Sequence, residues 1–128
     1  MNILLVEDDP TDMKLLSAVL SLSGHEVLGK GSAEQALQGI KDHQPEVILL
    51  DLKLPGMDGL ALARLLKQDP DTRHIPIVAI TAAREKFSKE AALTAGCDAF
   101  ILKPIDTRKL PGQIQSVAKH RNELPQAE

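Results

Sequence analysis

The chain has 128 residues, 43% hydrophobic and 26% charged, a composition typical of one globular domain with its own core. Its formal net charge of -3 argues against an extended nucleic-acid surface, which needs clustered Lys and Arg in excess. One cysteine excludes an internal disulfide, and neither a signal peptide nor an apolar run of the roughly 20 residues that span a bilayer is present, so we expect a cytoplasmic protein without membrane contact.

Short apolar runs predict the strands. Four strong runs are continuous rather than alternating, as in a parallel sheet that is covered on both faces: residues 3–6, 47–50, 77–80 and 99–102. A weaker run at residues 26–29 predicts a fifth strand at an edge of the sheet.

Helical spacing predicts a helix after each strand. The first helix is predicted by an apolar stripe at Leu16, Val19 and Leu20 that Gly24 closes, and the second by a capping box from Ser32 to Gln35. The third is predicted by a stripe at Leu62, Leu65 and Leu66, and the fourth by the segment 85–95 that Gly96 closes. The fifth should begin at about Leu110, because Pro111 is tolerated only in the first turn. Five βα units predict an α/β fold with a doubly wound, open parallel sheet.

Polar side chains follow the four strong strands directly. They are Glu7 and Asp8 after the first, Asp51 after the second, Thr81 after the third and Lys103 after the fourth. Ligands of such sheets bind beyond the carboxyl ends of the strands, so these side chains should converge on one site. Converging carboxylates repel one another, and a hard divalent cation with oxygen ligands, Mg²⁺, would relieve the repulsion. Asp9, one position further, is better explained as a helix cap.

Four motifs at these strand ends give the chain a family resemblance. VEDD at residues 6–9, DLKLPGMDG at 51–59, AITA at 79–82 and ILKP at 101–104 resemble the receiver domain of bacterial two-component response regulators, the CheY-like family. The resemblance runs from about residue 2 to 120. Through GCDAFILKPI at 96–105 it is most similar to single-domain regulators of the chemotaxis and cell-cycle type.

The resemblance implies a flavodoxin-like strand order 2-1-3-4-5, with a receiver domain at residues 1–120 and a polar tail or linker stump at 121–128. It also implies a role for each matching residue. Asp51 would accept a phosphoryl group, and Mg²⁺, with Mn²⁺ as an alternative, would be held by Asp51, by Asp8, by Glu7 directly or through water, and by the backbone carbonyl of Lys53. Lys103 would pair with phosphoryl oxygens, and its bond to Pro104 would be cis.

The resemblance further implies a switch that catalyses only its own phosphorylation and dephosphorylation. Thr81 would hydrogen-bond the attached phosphoryl group, and Phe100 would then rotate inward, although plain core packing explains Phe100 equally well. Lys53 and Ala83 would influence how long the phosphorylated state lasts.

The partners implied are a sensor histidine kinase or phosphotransfer protein as donor and a downstream protein bound through the fourth helix, fifth strand and fifth helix. Direct contact with nucleic acid is not expected. The oligomeric state implied is a monomer or a phosphorylation-dependent dimer.

Two other functions fit parts of the pattern. A Mg²⁺-dependent phosphohydrolase also uses an aspartate nucleophile, but it generally has a second acid two residues later, where this chain has Lys53. A flavin or nucleotide module would have a Gly-rich or Ser/Thr-rich phosphate loop after the first strand, where the acidic EDDP segment would repel phosphates. Turnover of phosphate esters would identify the hydrolase.

Overall fold

Strands and helices alternate along the chain, as the apolar runs and stripes predict. The computed structural model describes residues 1–82 and 86–123. The elements are β1 (Asn2–Val6), α1 (Pro10–Leu22), β2 (Glu26–Lys30), α2 (Ala33–Asp42), β3 (Val47–Asp51), α3 (Gly59–Gln68), β4 (Ile77–Thr81), α4 (Lys89–Thr94), β5 (Ala99–Leu102) and α5 (Leu110–Glu123). None of the helices in these ranges has the length and apolarity needed to cross a membrane.

All five strands are parallel and lie in the order β2-β1-β3-β4-β5. This confirms the flavodoxin-like α/β fold and the edge position of the weak strand β2. Because sequential strands lie on both sides of β1, the strand order reverses between β1 and β3. The predicted ligand position, outside the carboxyl ends of β1 and β3, therefore exists in the fold.

Apolar side chains of the inner strands alternate between two cores, one on each face of the sheet. Leu4, Ile48 and Ile77 point toward the face covered by α2, α3 and α4, and Leu5 and Leu49 point toward the face covered by α1 and α5. Burial on both faces explains why these strands read as continuous apolar runs.

Helix ends follow the predicted caps in most places. Gly24 and Gly96 follow α1 and α4 with φ of +89° and +104°, a conformation that favours glycine. The hydroxyl of Ser32 accepts a hydrogen bond from the backbone N–H of Gln35, and the Gln35 side chain accepts one from the N–H of Gly31 rather than that of Ser32. α5 begins at Leu110, as the proline predicts.

The fourth helix is shorter than the sequence predicts. Residue 85, where we expected it to begin, lies outside the described residues, and residues 86–88 are not helical, so the prediction is wrong for residues 86–88. The reason is a local cap: the hydroxyl of Ser88 accepts a hydrogen bond from the N–H of Ala91, and the helix begins at Lys89. At the other end of the chain, α5 continues past the expected domain boundary at residue 120 to Glu123, and residues 124–128 of the expected tail lie outside the described range.

Candidate functional site

A cleft of about 400 Å³ opens at the carboxyl edge of the sheet. Its lining residues are mostly charged and come from the ends of β1, β3, β4 and β5 and from the start of α1: Glu7, Asp8, Asp9, Asp12, Asp51, Lys53, Ala82 and Lys103. Four of the five predicted strand-end residues thus line one cleft. The fifth, Thr81, lies at the same edge with its side chain fully buried, and its neighbour Ala82 lines the cleft instead.

The Lys103 ammonium is the centre of the cleft. Its Nζ donates to Glu7 Oε1 at 2.6 Å, to Asp12 Oδ2 at 2.8 Å and to Asp51 Oδ2 at 2.9 Å. Burial by itself would lower the pKa of Lys103, but the hydrogen bonds to Asp12, Glu7 and Asp51 outweigh burial and raise that pKa above its ordinary value. The side chain therefore carries a permanent positive charge at physiological pH.

Asp51 is held by two hydrogen bonds at the end of β3. Its Oδ2 accepts from Lys103, and its Oδ1 accepts from the backbone N–H of Lys53 at 2.9 Å. The carboxyl group is almost completely buried. Gly59, the first residue of α3, packs directly against this strand end, since a Cβ atom there would lie 2.6 Å from the carbonyl oxygen of Asp51 and 2.6 Å from Leu52 Cα. A side chain at position 59 would thus push α3 away from the end of β3.

Glu7 is the most buried carboxylate of the cleft, with 1% of its surface exposed. Burial raises its pKa to about 7, and nearby Asp51 adds to the rise, while the hydrogen bonds from Lys103 and from the backbone of Asp9 oppose it. Glu7 therefore exchanges a proton near neutral pH. A cation bound nearby would favour its ionised form.

The donor set fits a hard divalent cation. Glu7, Asp8 and Asp51 each offer a carboxylate oxygen, and these three atoms lie within 4.8 Å of one another. Asp8 is exposed, so that side of the group opens to solvent. Carboxylate oxygens together with access for water are what Mg²⁺ prefers. Lys53 lines the same cleft, and its backbone N–H donates to Asp51.

The remaining predicted residues that the structure describes are not part of the cleft lining. The backbone N–H of Lys103 donates to the carbonyl of Thr81 at 3.0 Å, which ties the ends of β4 and β5 together. The peptide bond between Lys103 and Pro104 is cis, as the resemblance implies. Phe100, in β5, is partly buried against the core beneath α2, α3 and α4. Ala83 lies outside the described residues.

Sequence reasoning missed Asp12, whose carboxylate reaches Lys103 across 91 residues of chain. A signal for it was present: Asp9 caps α1, because its carboxylate accepts from the N–H of Asp12, so Asp12 occupies the first helical turn directly beyond β1. The first turn of a helix that leaves a strand end lies at the same edge of the sheet as that strand end.

A family model described as the response regulator receiver domain matches residues 3–115 of this chain. The chain is 36% identical over 115 residues to the polar-differentiation response regulator DivK of Brucella ovis, a match that covers 90% of this chain and 94% of DivK. It is similar in structure to a CheY-like response regulator receiver domain from Methanospirillum hungatei, with a TM-score of 0.87 and 26% identity over 95% of this chain and 96% of the other.

Another similar structure is the receiver domain of a sensor histidine kinase from Pseudomonas aeruginosa, with a TM-score of 0.84 and 30% identity over 92% of this chain and 97% of the other. That structure has a magnesium ion coordinated in its active-site cleft. In that relative, the receiver cleft holds Mg²⁺, the cation that the carboxylates of Glu7, Asp8 and Asp51 fit in this chain.

Proposed function

The chain belongs to the response regulator receiver domain family, and on that basis we propose that it accepts a phosphoryl group from a histidine kinase onto Asp51 in a Mg²⁺-dependent reaction and thereby changes its affinity for a downstream protein. The observation that carries this proposal is the position of Asp51. Its carboxylate contacts the Lys103 ammonium at 2.9 Å, and one of its oxygens lies within 4.8 Å of an oxygen of Glu7 and of Asp8.

The reaction is a transfer between two nucleophiles. A carboxylate oxygen of Asp51 forms a bond to phosphorus as the bond from phosphorus to the donor's imidazole nitrogen breaks, and the imidazole keeps the electron pair. Positioning and charge neutralisation supply most of the catalysis in such transfers. Lys103, whose ammonium lies 2.9 Å from Asp51, would neutralise a phosphoryl oxygen. Bound Mg²⁺, held by Glu7, Asp8, Asp51 and the backbone carbonyl of Lys53, would add positive charge at the same oxygens. The product is a mixed anhydride, which water can hydrolyse, so the modification is reversible.

The change in partner affinity would result from movement of side chains on β4 and β5. An attached phosphoryl group adds negative charge and acceptor oxygens that can draw the Thr81 hydroxyl toward Asp51. Phe100 of β5 packs partly buried against the core beneath α2, α3 and α4, so an inward rotation of its ring would change the surface that β5 presents beside α4. Leu93 of α4 and Leu102 of β5 are 45% and 40% exposed, which supports a protein-binding surface on α4, β5 and α5.

A protein donor has an apolar surface available beside the cleft. Leu15 of α1 is 48% exposed and lines a groove of about 340 Å³ together with Pro104 and Ile105, and Lys103 borders both this groove and the acidic cleft. A donor helix that packs against α1 would bring its histidine to the mouth of the cleft. This arrangement supports a histidine kinase or phosphotransfer protein as the phosphoryl donor.

The test is to incubate the protein with acetyl phosphate and Mg²⁺, and separately with a phosphorylated histidine kinase, and to measure the intact mass. The parent should gain one phosphoryl group, and Asp51→Asn should gain none. Asp58→Asn is the matched control: Asp58 caps α3, and asparagine also caps well, so this variant should be phosphorylated like the parent.

An unmodified parent, or equal gain by the parent and Asp51→Asn, would contradict the proposal. Steady turnover of several phosphate esters by the parent, lost in Asp51→Asn, would instead identify a phosphohydrolase.

A further inference from the structure

The Lys103 ammonium has no N–H to spare for a phosphoryl oxygen. It carries three N–H groups, and the three carboxylates of Glu7, Asp12 and Asp51 lie between 2.6 and 2.9 Å from Nζ. A phosphoryl group on Asp51 needs one of these donors. One carboxylate must therefore release Lys103 when the phosphoryl group arrives.

The three carboxylates differ in how firmly they are held. Glu7 is fully buried, and its second oxygen accepts from the N–H of Asp9. Asp51 is 6% exposed and its second oxygen accepts from the N–H of Lys53. The side chain of Asp12, in contrast, is 36% exposed, so water can solvate its carboxylate once it leaves Lys103.

We propose that Asp12 is a positioning residue that holds Lys103 while Asp51 is unmodified and is displaced from Lys103 by the phosphoryl oxygen. This inference rests on the proposed phosphorylation of Asp51. Asp12 opposes phosphorylation, because its charge competes with the phosphoryl group for the same N–H donor. It also lines both the acidic cleft and the apolar groove next to Leu15, so it stands where a donor enters.

The test measures binding of beryllium fluoride, a phosphoryl mimic, in the presence of Mg²⁺. Because the chain has no Trp or Tyr, binding is followed by calorimetry rather than by intrinsic fluorescence. Asp12→Asn should bind the mimic about three to five times more tightly than the parent, the range expected for one partly exposed ion pair. Asp12→Glu keeps the charge and should bind like the parent.

Asp9→Asn is the matched control. Asp9 lines the same cleft and is exposed, and asparagine can still cap α1, but the ion pairs of Lys103 do not include Asp9. This variant removes one negative charge without freeing Lys103 and should change affinity less than twofold, in line with a screened charge at the surface.

A second measurement needs neither Mg²⁺ nor a phosphoryl mimic. Urea unfolding of Asp12→Asn, Lys103→Met and the double variant should give a coupling free energy clearly larger than the same cycle built with Asp9→Asn. Equal coupling free energies in the two cycles would mean that Asp12 does not hold Lys103 in the unmodified protein, and the proposal would be overturned.

The binding outcomes separate this inference from the proposed function. If the parent binds the mimic and Asp12→Asn binds it like Asp9→Asn, or more weakly than the parent, the role of Asp12 is refuted and the phosphorylation of Asp51 stands. If the parent neither binds the mimic nor gains a phosphoryl group, both proposals fail together.

Discussion

Two lysines lie at opposite ends of the sheet and are equally exposed, but their hydrogen-bond partners carry different charge. Lys67 lies near the amino ends of the strands and Lys103 at their carboxyl edge, and each side chain is 16% exposed. Lys67 Nζ donates to the carbonyl oxygens of Arg73 and Ile75, at 3.2 and 2.7 Å, and to Asp98 at 3.2 Å. Lys103 instead faces three carboxylates within 2.9 Å.

The difference separates a structural ion pair from the candidate binding site. At the amino ends, Asp98 also accepts from the N–H of Ile77, so the Lys67–Asp98 pair joins α3 to the starts of β4 and β5 with one charge of each sign. At the carboxyl edge the contacts of Lys103 leave an excess of negative charge, which folding alone does not favour. A bound cation would offset it. The two ends should therefore respond differently to charge removal, to pH and to Mg²⁺.

The largest difference should appear when each lysine is replaced by methionine. Lys103→Met should lower the free energy of unfolding by about 3 kcal/mol at pH 8, because it leaves the buried carboxylates of Glu7 and Asp51 without their cation. Lys67→Met should cost about 1–2 kcal/mol, because its partners are neutral carbonyls and a carboxylate that water can reach. Urea unfolding of both variants in metal-free buffer measures these losses.

Millimolar Mg²⁺ sharpens the same comparison. The ion should restore part of the stability lost in Lys103→Met, since it adds positive charge beside the same carboxylates. It should raise the unfolding free energy of Lys67→Met by no more than it raises that of the parent. Equal losses in the two variants, or equal responses to Mg²⁺, would remove the distinction between the two ends.

An intermediate effect should appear in the pH dependence of stability. The pKa of Glu7 is about 7 in the folded protein, against an ordinary value of 4.5, so the folded state binds more protons than the unfolded state between these values. The contribution of Glu7 is fully present below pH 4.5 and is lost as the pH rises through 7. The loss is at most about 3 kcal/mol, from the difference between a pKa of about 7 and the ordinary 4.5.

Glu7→Gln should flatten this slope between pH 5 and 7.5, because glutamine still offers Lys103 an oxygen but does not titrate. Glu26→Gln, at an exposed position of the edge strand β2, is the control and should keep the slope of the parent. Urea unfolding across this range, without metal, is the measurement. If the unfolding free energy of Glu7→Gln keeps the pH slope of the parent, a group other than Glu7 binds the proton.

Topology explains which parts of the site were predictable from sequence. Glu7, Asp8, Asp51 and Lys103 each follow an apolar run directly, so the rule that parallel strands end at one edge brings them together without any knowledge of side-chain packing. The contacts of Asp12 and Lys67 depend instead on where a helix end lies in space. Topology places Asp12 at the same edge, in the first turn after β1, but it does not indicate which side chain the Asp12 carboxylate contacts. Lys67 reads from sequence as an ordinary charged residue on a helix.

The start of the fourth helix shows the same limit on a local scale. Ser88 is a good cap, but the sequence offered no way to rank it above an earlier start, and the cap is seen only from the hydrogen bond between its hydroxyl and Ala91. The buried state of Thr81 likewise follows from its neighbours and not from its own residue type.

The smallest effect is also the most discriminating, because it should differ in sign between the two ends. Asp98→Asn should lower the unfolding free energy by about 1 kcal/mol, since it weakens the hydrogen bonds to Lys67 and to the N–H of Ile77 by removing their charge. Asp51→Asn, although almost fully buried, should be neutral or should raise stability in metal-free buffer. It removes a carboxylate that raises the pKa of Glu7, and this gain offsets the loss of one acceptor, because the single amide oxygen can accept from Lys103 or from the N–H of Lys53 but not from both.

Parallel urea titrations of the parent and the two asparagine variants measure both changes. Added Mg²⁺ should stabilise the parent and Asp98→Asn alike, and Asp51→Asn less, because only the last has lost a carboxylate from the acidic group. A loss of stability in Asp51→Asn as large as that in Asp98→Asn would mean that Asp51 contributes to the fold as Asp98 does. The excess negative charge at the carboxyl edge would then not destabilise the fold. The contacts of Lys67 and Lys103 would differ in which residues they include, but not in their effect on stability.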